Sequence, residues 1–457
     1  MTGSIPKKRL STYRNYVSEN PLFARSTDAC LKKYTELPPE DEAFIYVFAP
    51  VICSYVTYVL RDAHDRGIKR LVFLARDGYL PYIAALKLAP VIAPEIELSI
   101  VSVSRYALRS AEYGLMGKEC LDTICLGALN LTFAKMMKRA SLTEEEIEKV
   151  AEKCGMIGRV NDVLTHKQIR DIKEKLREVP EFFEMVKVHS DGKLKSVSDY
   201  LKQEGLTKER VNDTCIVDSG WIGTVQRSIN KIVGGEDKGF EGYYFGLYSI
   251  PSGASPDAYR SYYISPGSGL SDLLRKVRFS ICLFESICSS PESMTYGYEY
   301  SDGKVKPVTD ECGNPNVGFI RRALVYLEDY SKVLASEDLK HIDNNAMLKM
   351  CEKLLKLCMG NPTKEESEAL GKFSFSDDVV EDDMKRLAAK WGREELKDNS
   401  FFRKMFVKAG LKTGKVPVSG WPEGSIAASS DGLRKKFGLM SERCLKAVTE
   451  IRKTVIK

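Results

Sequence analysis

Two segments of this chain share a pattern that is typical of α/β proteins, a short apolar run that breaks into charged residues and glycine. Residues 71–79 read Leu-Val-Phe-Leu-Ala-Arg-Asp-Gly-Tyr, and residues 215–226 read Cys-Ile-Val-Asp-Ser-Gly-Trp-Ile-Gly-Thr-Val-Gln. An amphipathic helix is predicted after each segment. A buried strand, a tight turn and a helix N-terminus together present backbone N–H groups to a phosphate. Two such units predict an α/β fold with one cleft for a polyphosphorylated sugar.

Length and composition narrow the class of protein. A chain of 457 residues predicts two or three domains, and 43% hydrophobic with 29% charged residues favours a packed, soluble fold. The net charge of +6 suits a small anionic ligand or an acidic glycolipid surface, but it is too dispersed to predict nucleic-acid binding. Twelve scattered cysteines and four histidines argue against zinc. This cysteine usage, with no apolar stretch at the N-terminus, predicts a cytoplasmic protein.

The segment 43–60 carries no charge and reaches the lower length limit of a membrane-spanning helix. Pro50, Ser54 and Thr57 interrupt its apolar character, and a strand is predicted shortly after it. We therefore expect a buried core helix.

Changes in composition predict four regions. Residues 1–40 form a polar, partly helical lead-in, and residues 41–118 and 211–310 form an α/β core with a mostly parallel sheet. Residues 119–210 are rich in charged amphipathic helix and predict an insertion that acts as a lid or an acceptor-side subdomain. Residues 311–457 are predicted to be helical.

Two shorter features lie inside the second half of the core. The Pro/Gly/Ser-rich stretch 251–270 predicts a loop, and a short strand is predicted over Tyr296–Tyr300, followed by a turn at Asp302-Gly303.

The Arg76-Asp77-Gly78 turn is the first candidate site. Gly78 permits a sharp strand-to-helix turn, and the Arg76 guanidinium can bind phosphate oxygens bidentately. Asp77 can hold magnesium or accept a proton. The alternative is a solvated turn in which Asp77 caps the next helix.

The second candidate site is the loop Asp218-Ser219-Gly220-Trp221-Ile222-Gly223-Thr224. An acidic residue at the carboxyl end of a buried strand lies where open α/β sheets bind ligands, and it can hydrogen-bond ribose hydroxyls. The two glycines let backbone N–H groups approach a phosphate, and the threonine adds a hydroxyl at the helix start. The tryptophan is unusual there unless it packs on a ligand or a lid. The alternative is an N-cap aspartate with structural glycines.

Two further segments complete the candidate set. Ser104 and Arg105 end the second predicted strand, and Arg109 follows on the same helical face, positioned for a pyrophosphate; the alternative is a surface ion pair with Glu112. Glu285 begins an apolar helix, where burial without a purpose is costly, so it is a candidate general base, acceptor ligand or cap. Ser289, in the polar end of the same segment, is a candidate substrate ligand.

Taken in this order, these motifs resemble a domain found in bacterial capsule and O-antigen gene clusters, where it is described as haloacid-dehalogenase-like or as a glycosyltransferase accessory. The resemblance runs from about residue 43 to about residue 425. It rests on FLARDGYLP, VSVSRYALRSA, CIVDSGWIGTVQRSI, FESICSSPESMTYGY and GWPEGS.

Members of this family resemble type I phosphoribosyltransferases. The resemblance therefore implies a type I phosphoribosyltransferase-like, Rossmann-like fold and a 5-phosphoribosyl 1-pyrophosphate (PRPP) donor with Mg2+. It implies transfer of 5-phosphoribosyl to a sugar hydroxyl of a growing capsular or O-antigen glycan or glycolipid, with release of pyrophosphate. It also implies a partner phosphatase that removes the 5-phosphate, and we expect peripheral contact with the inner membrane surface.

Residue by residue, the resemblance makes Asp218 the ligand of the ribose hydroxyls and the amides of Gly220 to Thr224 the 5-phosphate site. Arg76-Asp77-Gly78 corresponds to the pyrophosphate loop, and Arg105 to the basic residue after the next strand. Two departures are clear, because type I enzymes usually have a second acidic residue where this chain has Ser219, and a Thr-Gly-Gly-Thr pattern where it has Trp-Ile-Gly-Thr.

A dehalogenase-type phosphatase needs a nucleophilic aspartate two residues before a second aspartate at a strand end. Ala75 occupies the nucleophile position relative to Asp77, and Gly220 lies two residues after Asp218, so hydrolysis of that type is not expected. The sequence thus predicts a pentosyltransferase. A sugar-phosphate or nucleotide phosphohydrolase, or a non-catalytic module of a capsule assembly complex, remain alternatives. The acceptor sugar, the anomeric outcome, the oligomeric state and the choice of Asp77 or Glu285 as base are left open.

Overall fold

A computed structural model describes residues 3–127, 131–234, 238–267, 269–309, 313–375, 384–408 and 419–455. Its centre is a sheet of five parallel strands in the order β2-β1-β3-β4-β5. The strands are β1 (Arg70–Ala75), β2 (Glu97–Ser102), β3 (Thr214–Trp221), β4 (Glu241–Leu247) and β5 (Tyr259–Ile264). The predicted α/β class with a parallel sheet is confirmed.

Strand β5 lies within the stretch 251–270 for which the sequence predicts a loop, so that prediction is wrong over its centre. The prolines, glycines and serines on both sides of the strand give the whole stretch the composition of a loop, so the strand is not recognised from the sequence. Its side chains Tyr259, Tyr262 and Tyr263 are buried against the sheet and the helices around it. Aromatic residues favour a strand in such a half-buried position, although the flanking composition favours a turn.

Helices cover both faces of the sheet, which explains why β1 is a continuous apolar run. Leu71 and Phe73 pack into a hydrophobic cluster on one face, whereas Val72 and Leu74 pack into a different cluster on the other face. A strand that is buried on both sides has no polar face, so its sequence does not alternate.

The helices of the described residues surround this sheet. In chain order they are α1 (Lys7–Ser18), α2 (Pro21–Lys33), α3 (Pro39–Ala43), α4 (Ala49–Asp65), α5 (Tyr79–Ile92), α6 (Arg105–Met116), α7 (Leu121–Ile124), α8 (Phe133–Arg139), α9 (Glu144–Cys154), α10 (His166–Arg177), α11 (Pro180–Gln203), α12 (Thr224–Ile232), α13 (Leu270–Lys276), α14 (Ile281–Cys288), α15 (Val317–Leu334), α16 (Asn344–Cys358), α17 (Lys364–Leu370), α18 (Arg393–Asp398), α19 (Phe401–Lys408), α20 (Pro422–Ser429) and α21 (Gly432–Val455).

Helices α3 and α4 join through a π-helical turn, Phe44–Phe48, into one apolar element over Pro39–Asp65. By length and composition this element is able to cross a membrane, but 89% of its apolar window is buried inside the protein. The prediction of a buried core helix is confirmed.

Between β2 and β3 the described residues are mostly helical. Helices α7 to α11 enclose a hydrophobic cluster of their own, which includes Phe133, Met136, Ile147 and Phe182. By contrast, α15 and α16 contribute to the same large cluster as the sheet. The insertion thus has a separate core, whereas the first helices after residue 313 belong to the core of the sheet.

A hairpin precedes α15. Strands β6 (Thr295–Ser301) and β7 (Lys304–Thr309) pair antiparallel, and Asp302 and Gly303 both have positive φ at the turn. This is the geometry that tight hairpins favour. The strand and turn predicted here are confirmed.

Candidate functional site

The candidate site lies where the carboxyl ends of β1 and β3 meet. These strands are neighbours, with Phe73 opposite Val217, so the residues that follow them share one edge of the sheet. The strand order also changes direction here, since β2 lies on one side of β1 and β3 to β5 lie on the other. Doubly wound sheets bind ligands at this switch point. The Ser219 hydroxyl donates to the Asp77 carbonyl oxygen at 3.3 Å and links the two loops directly.

Three carboxyl groups from distant parts of the chain come together at this edge. Burial raises the pKa of Asp77 well above its ordinary value, and the nearby Glu285 and Asp218 carboxylates raise it further. Burial, together with Glu285, raises the pKa of Asp218 from 3.8 to about 7. Arg76 and Arg105 oppose these shifts: Arg105 acts on both aspartates and Arg76 on Asp77. The structure therefore brings all three predicted catalytic residues into one electrostatic cluster with two of the predicted arginines.

Asp218 is held tightly within β3, one residue beyond Val217, where the pairing of β3 with β1 ends. It is only 8% exposed, and its Oδ1 accepts from the Ser219 backbone N–H at 2.8 Å. The Tyr55 hydroxyl of α4 donates to the Asp218 carbonyl oxygen at 2.9 Å. Tyr55 carries no sequence signal beyond its place in an apolar helix, so sequence reasoning missed this support.

Trp221 has a different place from the one that the sequence predicts. Its ring is buried beside Phe279 and Phe284, with centroid separations of 5.0 and 5.9 Å, rather than presented to a ligand or a lid. Its indole Nε1–H donates to Glu285 Oε1 at 2.9 Å. The tryptophan thus fixes the position of Glu285 within the cluster.

Both glycines of the second loop are required by contacts within the protein. Gly220 has a φ of 138°, and a Cβ there would lie 2.0 Å from the carbonyl oxygen of Gly246. Gly223 has a φ of 75°, and a Cβ there would lie 2.4 Å from the ring of Tyr259. Gly223 also precedes α12, which starts at Thr224. The helix N-terminus is therefore at this edge of the sheet, as expected for an anion site.

The first loop is equally compact. A Cβ on Gly78 would lie 2.6 Å from the carbonyl oxygen of Leu74, so the turn into α5 leaves no room for a side chain. The peptide bonds Ala75–Arg76 and Gly220–Trp221 are cis.

The predicted residues of α6 divide into two groups. Ser104 caps the helix by accepting from the Ala107 N–H at 2.9 Å, and Arg105 is exposed at its start. Arg109 is 8% exposed, and its Nη2 donates to Thr224 Oγ1 at 3.1 Å. Glu112 is also buried, so the alternative of a surface ion pair between Arg109 and Glu112 is wrong. Arg109 instead connects α6 to the start of α12.

Ser289 and its neighbour Cys288 lie at the end of α14. The Ser289 hydroxyl is buried and accepts from Asn314 Nδ2 at 2.8 Å. Burial, followed by the charges of Asp77 and Glu285, raises the pKa of the Cys288 thiol well above its ordinary value, which places this thiol beside the carboxyl cluster. A cysteine in an apolar run gives no sequence signal of such a position.

Near the start of α6, which carries Arg105, one wall is built by residues that were not candidates in the sequence analysis. The Ser104 hydroxyl donates to the Thr295 carbonyl oxygen at 2.5 Å, which brings β6 next to α6. The rings of Tyr106 and Tyr296 then lie 6.2 Å apart, edge to face. Lys193 of the helical insertion lies 5.1 Å from the Tyr106 ring and donates to Ser141 Oγ at 2.6 Å. We call Tyr106, Ser141, Lys193 and Tyr296 the tyrosine–lysine wall.

The pKa of Lys193 in this wall is lowered to about 8 by burial. Within the described residues, no carboxylate forms an ion pair with it. A partly buried cation beside a tyrosine ring and a hydroxyl is suited to bind an anionic or hydroxyl-rich ligand.

No group of three or more His, Cys, Asp or Glu side chains in the described ranges is placed to hold a metal ion. Magnesium, however, is usually bound by one or two carboxylates together with substrate phosphates and water rather than by a complete protein cage. Asp77 fits that use, because a cation would relieve the repulsion from Glu285 and Asp218 that raises its pKa.

The raised pKa values predict an unusual dependence of stability on pH. A carboxyl whose pKa is higher in the folded state than in the unfolded state stabilises the fold at low pH, and that stability is lost as the pH rises. For Asp218 the loss extends from about pH 4 to about pH 7. As the pH rises from 5 to 8, the free energy of unfolding of Asp218→Asn should therefore increase by about 3 kcal/mol relative to that of the wild type.

Urea denaturation at several pH values measures this difference. Asp213→Asn is the matched control, because Asp213 lies just before β3 at the opposite edge of the sheet. A difference between wild type and Asp218→Asn that does not change with pH would contradict the prediction.

Comparison with known proteins does not assign the chain. It matches no known family, and no curated protein is significantly similar to it in sequence.

Proposed function

We propose that this protein is a glycosyltransferase of the phosphoribosyltransferase type, with a type I phosphoribosyltransferase-like core. It transfers 5-phosphoribosyl from PRPP to a sugar hydroxyl of a growing capsular or O-antigen glycan. The observation that supports this most is the cluster of Asp77, Asp218 and Glu285 with Arg76 and Arg105 at the switch point of a parallel sheet. A ligand for such a cluster carries both hydroxyl groups and phosphates.

The positions of the charged groups suit the two ends of this donor. A buried carboxylate just beyond the paired part of β1 and β3 is suited to accept hydrogen bonds from ribose hydroxyls, and we assign this role to Asp218. Arg76 and Arg105 are suited to neutralise the pyrophosphate as it leaves. The N-terminus of α12, capped by a glycine without a side chain, is suited to the 5-phosphate.

Asp77 would hold Mg2+ together with the donor pyrophosphate. When bound, the ion would stabilise negative charge on the leaving pyrophosphate. A cation next to Asp77 would also favour the ionised forms of Asp77 and Asp218, so we expect donor binding to release protons near neutral pH.

The reaction breaks the bond between ribose C1 and the pyrophosphate oxygen and forms a bond between C1 and the acceptor oxygen. The proton of the acceptor hydroxyl passes to a carboxylate. We assign this role to Glu285 rather than Asp77, because Trp221 already holds Glu285 in position and Asp77 is needed near the pyrophosphate.

The acceptor would lie against the tyrosine–lysine wall. Sugar rings pack well on tyrosine faces, and Ser141 and Lys193 supply hydrogen-bond donors from the helical insertion. Under this proposal the insertion lies on the acceptor side, which is one of the roles that the sequence predicts for it.

Thermal unfolding with a panel of ligands tests the proposal. We expect PRPP with magnesium to raise the melting temperature, with a stabilisation of about 2.7 kcal/mol at a hundred times the dissociation constant. Chelation of magnesium with EDTA should remove most of this shift. Ribose 5-phosphate and pyrophosphate should each give a smaller shift.

Other outcomes would replace the proposal. A shift with a nucleotide sugar alone would indicate an ordinary glycosyltransferase. Release of phosphate from a sugar phosphate without any acceptor would indicate a phosphohydrolase, and no shift with any ligand would indicate a non-catalytic module.

A further inference from the structure

The last described helix, α21, carries an exposed apolar stripe. Leu433, Phe437, Met440 and Ile451 are 70%, 63%, 54% and 50% exposed, and Cys444 is exposed as well. At about 100° per residue these five side chains fall within about 60° of the helix circumference. Large apolar residues that are exposed singly are normal, but a continuous stripe marks an interaction surface.

The opposite side of α21 holds the helix on the protein. Leu439 and Leu445 are buried there. Buried ion pairs add to this contact, with Lys404 Nζ 2.7 Å from Glu442 Oε2 and Lys446 Nζ 2.6 Å from Glu423 Oε1. The stripe therefore faces away from the protein, and the opposite side of α21 holds the helix in place.

The exposed charges beside the stripe are basic. By the same helical spacing, Lys436 lies on one flank and Arg434 and Arg452 lie on the other, and all three are exposed. The acidic residues of this helix are placed differently, since Glu442 is buried and Glu450 pairs with Lys453. An apolar face between two basic flanks is the pattern of helices that lie in the surface of an anionic membrane.

We propose that α21 binds the surface of an anionic lipid bilayer, with the stripe inserted among the lipids and its basic flanks on the headgroups. Charge selects this partner over a second copy of the chain. A two-fold pair of stripes would bring the flanks of both copies together, and each flank is basic. The proposal stands on α21 alone and does not depend on the reaction proposed above.

Sedimentation with lipid vesicles tests it. The wild-type protein should bind vesicles of phosphatidylglycerol and phosphatidylcholine at least about tenfold more tightly than vesicles of phosphatidylcholine alone, and added salt should weaken the binding. Phe437→Glu should reduce this binding at least about tenfold. Val188→Glu is the matched control, because Val188 of α11 is 71% exposed but lies outside the stripe; its binding should equal that of wild type.

A fluorophore on Cys444 locates the contact. Among the described cysteines Cys444 is the exposed one, and Cys312, which lies outside the described residues, is replaced by serine for this purpose. A blue shift of an environment-sensitive dye with anionic vesicles supports insertion of the stripe. Failure of the wild type to bind anionic vesicles, or full binding by Phe437→Glu, overturns the proposal. A dimer that Phe437→Glu dissociates, without any vesicle binding, also overturns it and makes the stripe an interface between copies.

Discussion

Replacement of Asp218 by asparagine is expected to lower the rate of phosphoribosyl transfer at least about a thousandfold while the protein stays folded. The charge of this carboxylate lies within β3, beside the charges of Glu285 and Arg105, where we propose that the ribose of the donor binds. Asparagine has nearly the same size, so packing around Tyr55 and Ser219 should be kept. A coupled assay of pyrophosphate release measures the loss.

The control for Asp218→Asn is again Asp213→Asn, at the other end of the same strand. It should keep nearly full activity. The circular dichroism spectra of both variants should match that of the wild type, and at pH 8 Asp218→Asn should melt no lower than wild type, because a costly buried charge has been removed. Full activity of folded Asp218→Asn would remove Asp218 from the site.

Gly220→Ala is expected to be the most damaging small substitution in the fold. Its Cβ would lie 2.0 Å from the Gly246 carbonyl oxygen, on the backbone of the neighbouring strand β4, and its φ of 138° is unfavourable for any other residue. Backbone atoms cannot rotate away as a flexible side chain would, so β3 and β4 must separate locally. We expect a loss of about 4 kcal/mol or more in the free energy of unfolding, or failure to fold.

Gly253→Ala separates the two causes of this loss, which are the clash with the neighbouring strand and the unfavourable φ. Gly253 also has a positive φ, 77°, but a Cβ there has nothing within 4 Å. Its cost should be only about 1 kcal/mol, the cost of backbone strain alone. Urea denaturation compares the two variants, and equal losses would show that the close approach of β3 to β4 contributes nothing.

The parts of the fold that depend on local pattern could be predicted from the sequence. The apolar runs of β1 and β3 identify strands because both faces of each are buried, and the Asp302-Gly303 pair identifies a tight hairpin. Strand β5 could not be predicted, because its burial comes from helices far away in the chain while its neighbours in sequence favour a loop.

The candidate site also has a part that could be predicted from local sequence and a part that could not. Residues at the ends of β1 and β3 could be predicted to meet because parallel strands end at one edge. The roles of Trp221 and Arg109 could not be predicted, since they depend on contacts with α14 and α12 that no local pattern encodes. The tyrosine–lysine wall is a stronger case, because Tyr106, Lys193 and Tyr296 come from three separate segments and no local pattern shows that they meet.

The position of the helical insertion has a consequence for the synthesis of this protein on the ribosome. Strands β1 and β2 are synthesised early. The other neighbour of β1 is β3, so Val72 has no partner on that side until Ile216 has been translated. During that interval the apolar faces and the open edge of β1 lack partners, while the insertion can already collapse around its own cluster. A nascent chain stalled within the insertion is therefore expected to be a strong client of chaperones, and fragments that end there should aggregate rather than fold.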